Sequence, residues 1–209
     1  MIVILGANGG IGRGLLAAAK QNGSEALGVY RADCDIESEA SVESFMAGLS
    51  YPCHIVNATG HLINGMVHRA EMDDVDKTVS VNLRGSYLIA KWFRAYAKSG
   101  STLTLLSSVV GRLGVPGAAA YGMCKAGIHG LVRSAAKECA HIGARVNAIE
   151  MGYFDVGMID RIPEDKRSEI EASIPVGRFG TVQELWRLCR AVIENPYMTG
   201  QVVGITGGL

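Results

Sequence analysis

The first twenty residues constrain the fold more than any other stretch. Met1-Ile2-Val3-Ile4-Leu5 is a short apolar run with β-branched side chains, and it reads as a buried strand. Gly6-Ala7-Asn8-Gly9-Gly10-Ile11-Gly12 follows without a break. Arg13 to Lys20 then reads as a helix with Leu15, Leu16 and Ala19 as its apolar stripe. Strand, glycine turn and helix in that order offer free backbone N–H groups and a positive helix end to a pyrophosphate. Glycine suits such a turn because a Cβ would block close approach of a phosphate. The spacing of Gly6, Gly10 and Gly12 is GxxxGxG, not the commoner GxGxxG, so the turn alone leaves open a ligand-free strand–helix connection.

The alternation continues along the chain. Strands are predicted at Ile2–Leu5, Ala26–Tyr30, His54–Asn57, Ser101–Ser107, Ala144–Ile149 and Gln201–Gly204. Helices are predicted at Gly10–Asn22, Glu39–Leu49, Glu71–Lys98, Ala118–His141, Asp155–Ile159, Glu164–Ala172 and Val182–Glu194. This order predicts an α/β fold, a doubly wound, mostly parallel Rossmann-type sheet with helices on both faces. At 209 residues, with no repeat or linker, one domain over residues 1–209 is expected.

Composition narrows the function. Twenty basic and twenty acidic residues cancel, which argues against a nucleic-acid or membrane-surface footprint. No 18-residue apolar run is present, and the first strand begins at Met1, so neither a span nor a signal peptide is expected. The five cysteines (Cys34, Cys53, Cys124, Cys139, Cys189) are scattered without a CxxC pair and read as reduced core thiols of a cytoplasmic protein. The histidines show no ligand spacing, and no metal site is expected.

Ligands of such sheets bind outside the carboxyl ends of the strands. Asn57 closes one predicted strand and Ser107-Ser108 another, and alternation allows only one of the two serines to face the cleft. Tyr121 and Lys125 stand four apart on a predicted helix, on one face and one turn from each other. An ammonium beside a phenol favours phenolate, and a tyrosine tuned in this way can exchange a proton with an alcohol near neutral pH.

Together these residues resemble the short-chain dehydrogenase/reductase family over nearly the whole chain. The family turn TGxxxGIG is matched by Leu5-Gly6-Ala7-Asn8-Gly9-Gly10-Ile11-Gly12, and the NNAG segment by Asn57-Ala58-Thr59-Gly60. The helix asparagine is matched by Asn82, the active serine by Ser108 and YxxxK by Tyr121 to Lys125. The stretches Ser107–Gly117 and Ile174–Gly180 are most similar to 3-oxoacyl-[acyl-carrier-protein] reductases. The resemblance implies Tyr121 as general acid, Ser108 as the group polarising the carbonyl oxygen, Lys125 as ribose ligand and tuner of Tyr121, and Asn82 as holder of a relay water. It implies NADP(H) or NAD(H) as cofactor, a ketone or acyl thioester as substrate, and an acyl carrier protein as a candidate partner. It also implies a homodimer or homotetramer paired through the helices at Glu71–Lys98 and Ala118–His141.

NADP(H) is favoured over NAD(H) because Arg31, not a carboxylate, follows the second strand, and its fork of donors suits a 2′-phosphate. Asp35 and Ile36 are expected to flank the adenine. A secondary-alcohol dehydrogenase using NAD, or a non-catalytic dinucleotide sensor, is the alternative. The chain departs from the family at two places. Only Arg31 to Cys34 separate the second strand from Asp35, so a helix and an edge strand are expected to be missing, leaving six strands. The family Pro-Gly is Met151-Gly152, and the expected nicotinamide-binding threonine is Val156, so Gly152 and the backbone near Phe154 are expected to take over that contact. Tyr153–Ser173 is expected to form a charged substrate lid carrying Arg161 and Lys166, with Arg94, Lys98 and Arg112 as candidate carrier-docking cations.

Overall fold

The structure is a computed structural model that describes the backbone of residues 1–209 and every side chain but that of Arg161, whose expected lid charge lies outside the described residues. Strands β1 (Ile2–Leu5), β2 (Ala26–Val29), β3 (His54–Asn57), β4 (Thr102–Ser108), β5 (Arg145–Met151) and β6 (Val202–Ile205) form one sheet in the order β2-β1-β3-β4-β5-β6. Every pairing is parallel, so the mostly parallel sheet expected from the sequence is wholly parallel. The missing edge is real: β2 is the last strand on its side, and Leu27 on it is 42% exposed. Its length of four residues limits the unpaired edge it presents.

Alternation along the strands feeds two cores. Val3, Leu5, Ile55, Leu103 and Leu105 face one layer, where they meet Phe93, Ile128 and Val132. That layer is built from α2 (Glu39–Ala47), α4 (Gly85–Tyr96) and α6 (Ala119–Ala140). Ile2, Ile4, Val56, Leu106 and Ile149 face the other, against Leu15 of α1 (Gly10–Gln21) and Trp186 and Cys189 of α8 (Val182–Glu194). Burial on both faces explains why these strands read as unbroken apolar runs. All five cysteines are buried.

Three predicted elements differ from those observed. The long helix expected over Glu71–Lys98 is α3 (Met72–Val79), a π-helical turn at Ser80–Arg84, and then α4. Side chains cause the break: the Asn82 amide donates to the Thr78 carbonyl at 2.8 Å, and the Ser86 hydroxyl to the Asn82 carbonyl at 2.7 Å. The helix expected at Asp155–Ile159 is instead a 3₁₀ turn at Met158–Arg161, because Gly157 has φ of +92° and ends any helix there. A short helix, α5 (Val110–Leu113), follows β4 where no element was predicted. The lid continues into α7 (Glu164–Ser173). No described helix is long and apolar enough to cross a membrane.

Candidate active site

Chain order reverses between β1 and β3, and the carboxyl ends of these strands flank the crevice where open α/β sheets take ligands. On one side lies the glycine turn. A Cβ on Gly6 would come within 3.0 Å of Thr59 N, and one on Gly12 within 2.1 Å of the Gly6 carbonyl oxygen. Helix α1 opens at Gly10 after an N-cap glycine that makes no side-chain cap bond, so no side chain caps its first amides. On the other side, Asn57 Oδ1 accepts from Thr59 N at 3.1 Å and Thr59 Oγ1 at 2.6 Å, folding Asn57–Gly60 into a tight turn.

A cavity of about 240 Å³ joins the two sides and is lined by Gly6, Asn8, Gly9, Arg31, Asp35, Ile36, Ala58, Thr59 and Gly60. These predicted residues are thus brought together. Others are not. Asn57 is buried and shapes the turn from beneath. Gly10 and Ile11 pack against Gly157 of the 153–173 segment, with a Cβ on Gly10 reaching within 2.6 Å of Gly157 Cα. Gly152 serves packing, since a Cβ there would meet the Thr206 carbonyl at 2.8 Å. The Phe154 ring is buried against Gly180, and the groups on either side of it, Tyr153 O and Asp155 N, are already bonded to Gly180. Ile36 is also largely buried, its side chain packed where Gly85 leaves room.

The catalytic candidates gather at the ends of β4 and α6. Ser107 and Ser108 point to opposite faces: Ser107 is 2% exposed beneath α6, whereas Ser108 is partly open beside Tyr121. Val110 N–H donates to Ser108 Oγ at 3.3 Å, which holds the hydroxyl in place. Lys125 is 4% exposed; its ammonium donates to the Leu106 carbonyl at 2.8 Å and lies 5.3 Å from the centre of the Tyr121 ring. Burial pushes the Lys125 amine down to about 8. Burial also raises the Tyr121 phenol above its ordinary value, with the neighbouring Ser108 hydroxyl opposing in part. This corrects the expectation of an acidified phenol: loss of water around a phenolate outweighs the nearby amine, which is turned toward a backbone carbonyl.

Asn82 also has a structural part. Its side chain accepts from His61 N at 3.2 Å and donates both amide protons, to His61 O at 2.6 Å and Thr78 O at 2.8 Å. It ties the segment after Gly60 to the π-helical turn, and its oxygen keeps one acceptor site. Of the carrier-docking cations, Arg94 and Lys98 lie at the end of α4 that leads into the start of β4, and so at the opposite end of the sheet from the crevice. Arg112 is held by Glu150 at 3.0 Å and by the Leu209 carbonyl at 2.9 Å.

At the β2 end, Arg31 is 66% exposed in its side chain and reaches Glu37 at 3.1 Å and Asp35 at 3.3 Å. Lys77 meets the same Glu37 oxygen at 2.6 Å. Burial of Glu37 is outweighed by its bond from Lys77 and by the nearby Ser80 and Arg31, which hold the carboxyl below the usual range. Sequence reasoning missed Glu37, Lys77 and the group in which exposed Arg112 and partly buried His129 flank the buried Glu150, because nothing in local spacing links residues so far apart in the chain.

The chain matches the family model described as enoyl-(acyl carrier protein) reductase over residues 3–209. It is 37% identical to the 3-oxoacyl-[acyl-carrier-protein] reductase of Thermotoga maritima over 74% of this chain and 65% of that protein, so the match spans less than two thirds of that relative. It is 32% identical to the 3-oxoacyl-[acyl-carrier-protein] reductase of Rattus norvegicus over 93% of this chain and 84% of that one. A crystal structure of a small-chain dehydrogenase in complex with NADPH superposes with a TM-score of 0.88 at 29% identity, covering 99% of this chain and 96% of that chain.

Proposed function

The chain belongs to the short-chain dehydrogenase/reductase family, and from that premise we propose that it is an NADPH-dependent reductase of a 3-oxoacyl thioester or related ketone. The observation that carries this reading is the buried Tyr121 phenol, set beside Ser108 and one helical turn from a buried lysine whose ammonium lies 5.3 Å from the centre of its ring. A dinucleotide fits the crevice because only glycine can stand at Gly6 and Gly12, and the first turn of α1 has no side-chain cap. Gly6, Asn8 and Gly9 would hold the pyrophosphate and Arg31 the 2′-phosphate, and the bound nicotinamide supplies the hydride.

The protein's own part is proton supply and placement. The Ser108 hydroxyl and the Tyr121 phenol together bind the carbonyl oxygen, and their hydrogen bonds strengthen as negative charge develops there. Tyr121 then gives its proton to that oxygen. A raised phenol value keeps the proton in place until it is needed, which suits reduction better than oxidation of an alcohol. Lys125, held at about 8, retains a proton near neutral pH and can restore the one that Tyr121 loses.

The test follows NADPH and NADH absorbance separately over ketones and 3-oxoacyl thioesters, with Tyr121→Phe beside the natural chain. Turnover with NADPH, reduced about 10²- to 10⁴-fold in the variant with cofactor binding intact, is expected. Undiminished turnover in Tyr121→Phe overturns the mechanism. One observation favours an NAD-dependent secondary-alcohol dehydrogenase instead: Arg31 is already paired with Asp35 and Glu37. A strong NADH advantage unaffected by Arg31→Ala would establish that reading. Tight NADPH binding without turnover would leave a dinucleotide sensor. Self-association is proposed through the outer faces of α4 and α6, where Tyr87 is 58% and Met123 52% exposed.

A further inference from the structure

We propose that Ser107 and His129 are positioning residues, a proton-ordered brace that sets the separation of Ser108 from Tyr121. The inference rests on the catalytic reading above. Ser107 Oγ lies 2.9 Å from the Lys125 carbonyl oxygen and 2.8 Å from His129 Nε2. A carbonyl has no proton to give, so the single hydroxyl proton of Ser107 must go to Lys125 O. Toward His129 the hydroxyl can then only accept, and Nε2 must carry a proton. The order is therefore His129 Nε2–H to Ser107 Oγ–H to Lys125 O.

The brace works on the site through the two elements it joins. Within α6 the Lys125 carbonyl already accepts the amide of residue 129, so the Ser107 bond is a second one to the same oxygen. The Lys125 ammonium reaches the Leu106 carbonyl at 2.8 Å. One residue of α6 is thus fastened, by backbone and by side chain, to two successive residues of β4. Ser108 is the next residue of that strand, and Tyr121 lies one turn back along that helix. Their separation follows from these fastenings.

His129 is held in turn. Its side chain is 17% exposed, and burial keeps its imidazole below its ordinary value and so neutral at pH 7. Glu150, opposite Ser107 in the β4–β5 register, approaches Nε2 only to 3.9 Å. That is too long for a hydrogen bond and, with a neutral ring, not an ion pair. The Glu150 charge is neutralised by Arg112, at 3.2 Å from Nε and 3.0 Å from Nη2. Ser107 thus remains the partner of the His129 proton.

The experiment pairs disruptive with conservative changes. Ser107→Ala and His129→Leu are expected to lower kcat about 10- to 100-fold, the size of effect a small misplacement of reacting groups produces, with the NADPH dissociation constant unchanged. Ser107→Thr and His129→Gln restore a hydroxyl and an N–H donor, and are expected to recover most of the rate. Wild-type kcat in the disruptive pair, or equal losses in both pairs, would overturn the brace. Nitrogen NMR of the natural chain is expected to find the His129 proton on Nε2 at neutral pH; a proton on Nδ1 alone would overturn it even if a variant fails to fold. Tyr121→Phe runs in parallel. If it turns over normally, the catalytic reading itself has failed; if only it is inactive, the brace alone has.

Discussion

The two ends of the crevice are built on opposite principles. At the β4–α6 end, Tyr121 and Lys125 are 9% and 4% exposed, and Lys125 is bonded to backbone. At the β2 end, Arg31 is 66% exposed in its side chain and bonded to other side chains. A buried polar group must find a partner within the fold, so its geometry is set when the core closes. An exposed ion pair is worth roughly 0–1 kcal/mol and can be exchanged for a better ligand. The proposed function would thus put the chemistry on the rigid end and cofactor discrimination on the adaptable one. Loss of the usual edge strand fits this division, since it removes cover only from the β2 end.

Lys125→Ala tests the rigid end most severely. It removes the Leu106 bond and the proton reserve together, and kcat is expected to fall about 10²- to 10⁴-fold while the fold survives, measured by steady-state reduction and circular dichroism. The natural enzyme sharpens the same point through pH. Lys125 is protonated below about 8, so kcat for reduction should hold there and fall as pH rises through that value. Above it the unfolded chain holds the lysine proton more tightly than the folded one. The stability cost of burying this amine therefore fades with rising pH, opposite in sign to the rate. A rate that climbs through pH 8 would break the comparison.

At the adaptable end the expected effect is smaller and separable. Arg31→Ala should raise the KM for NADPH about 10- to 100-fold, the loss of a charge-assisted bond to phosphate, and leave kcat and the KM for NADH unchanged. Equal changes for both cofactors would show that Arg31 supports the loop instead of reading the phosphate. The smallest effect is expected away from both ends. Thr181 and Glu184 cap α8 in a reciprocal box, and Thr181→Ala should cost about 1 kcal/mol in denaturant unfolding with kcat unaltered.

Much of this was legible in the residues themselves. The strand–glycine–helix opening, the six-strand alternation and the lost edge could be read because each depends on local periodicity or on a count of residues between elements. Tyr121 and Lys125 could be put on one helix face by period, whereas alternation left Ser107 and Ser108 open and the family resemblance singled out Ser108. Asn82 could be found, but not the π-helical turn that its side chain ties to the segment after Gly60. The packing of Gly152 against Thr206 and of Phe154 against Gly180 could not be read from the sequence.

The sequence by itself determined which segments become strands and helices, and that a glycine turn meets the first helix, because backbone sterics and hydrophobic period act between near neighbours. Tertiary structure alone decided the protonation of the phenol, the partners of Arg31 and the brace from His129 to Lys125. Those depend on burial and on distances between residues remote in the chain, and burial exists only once both faces of the sheet are covered.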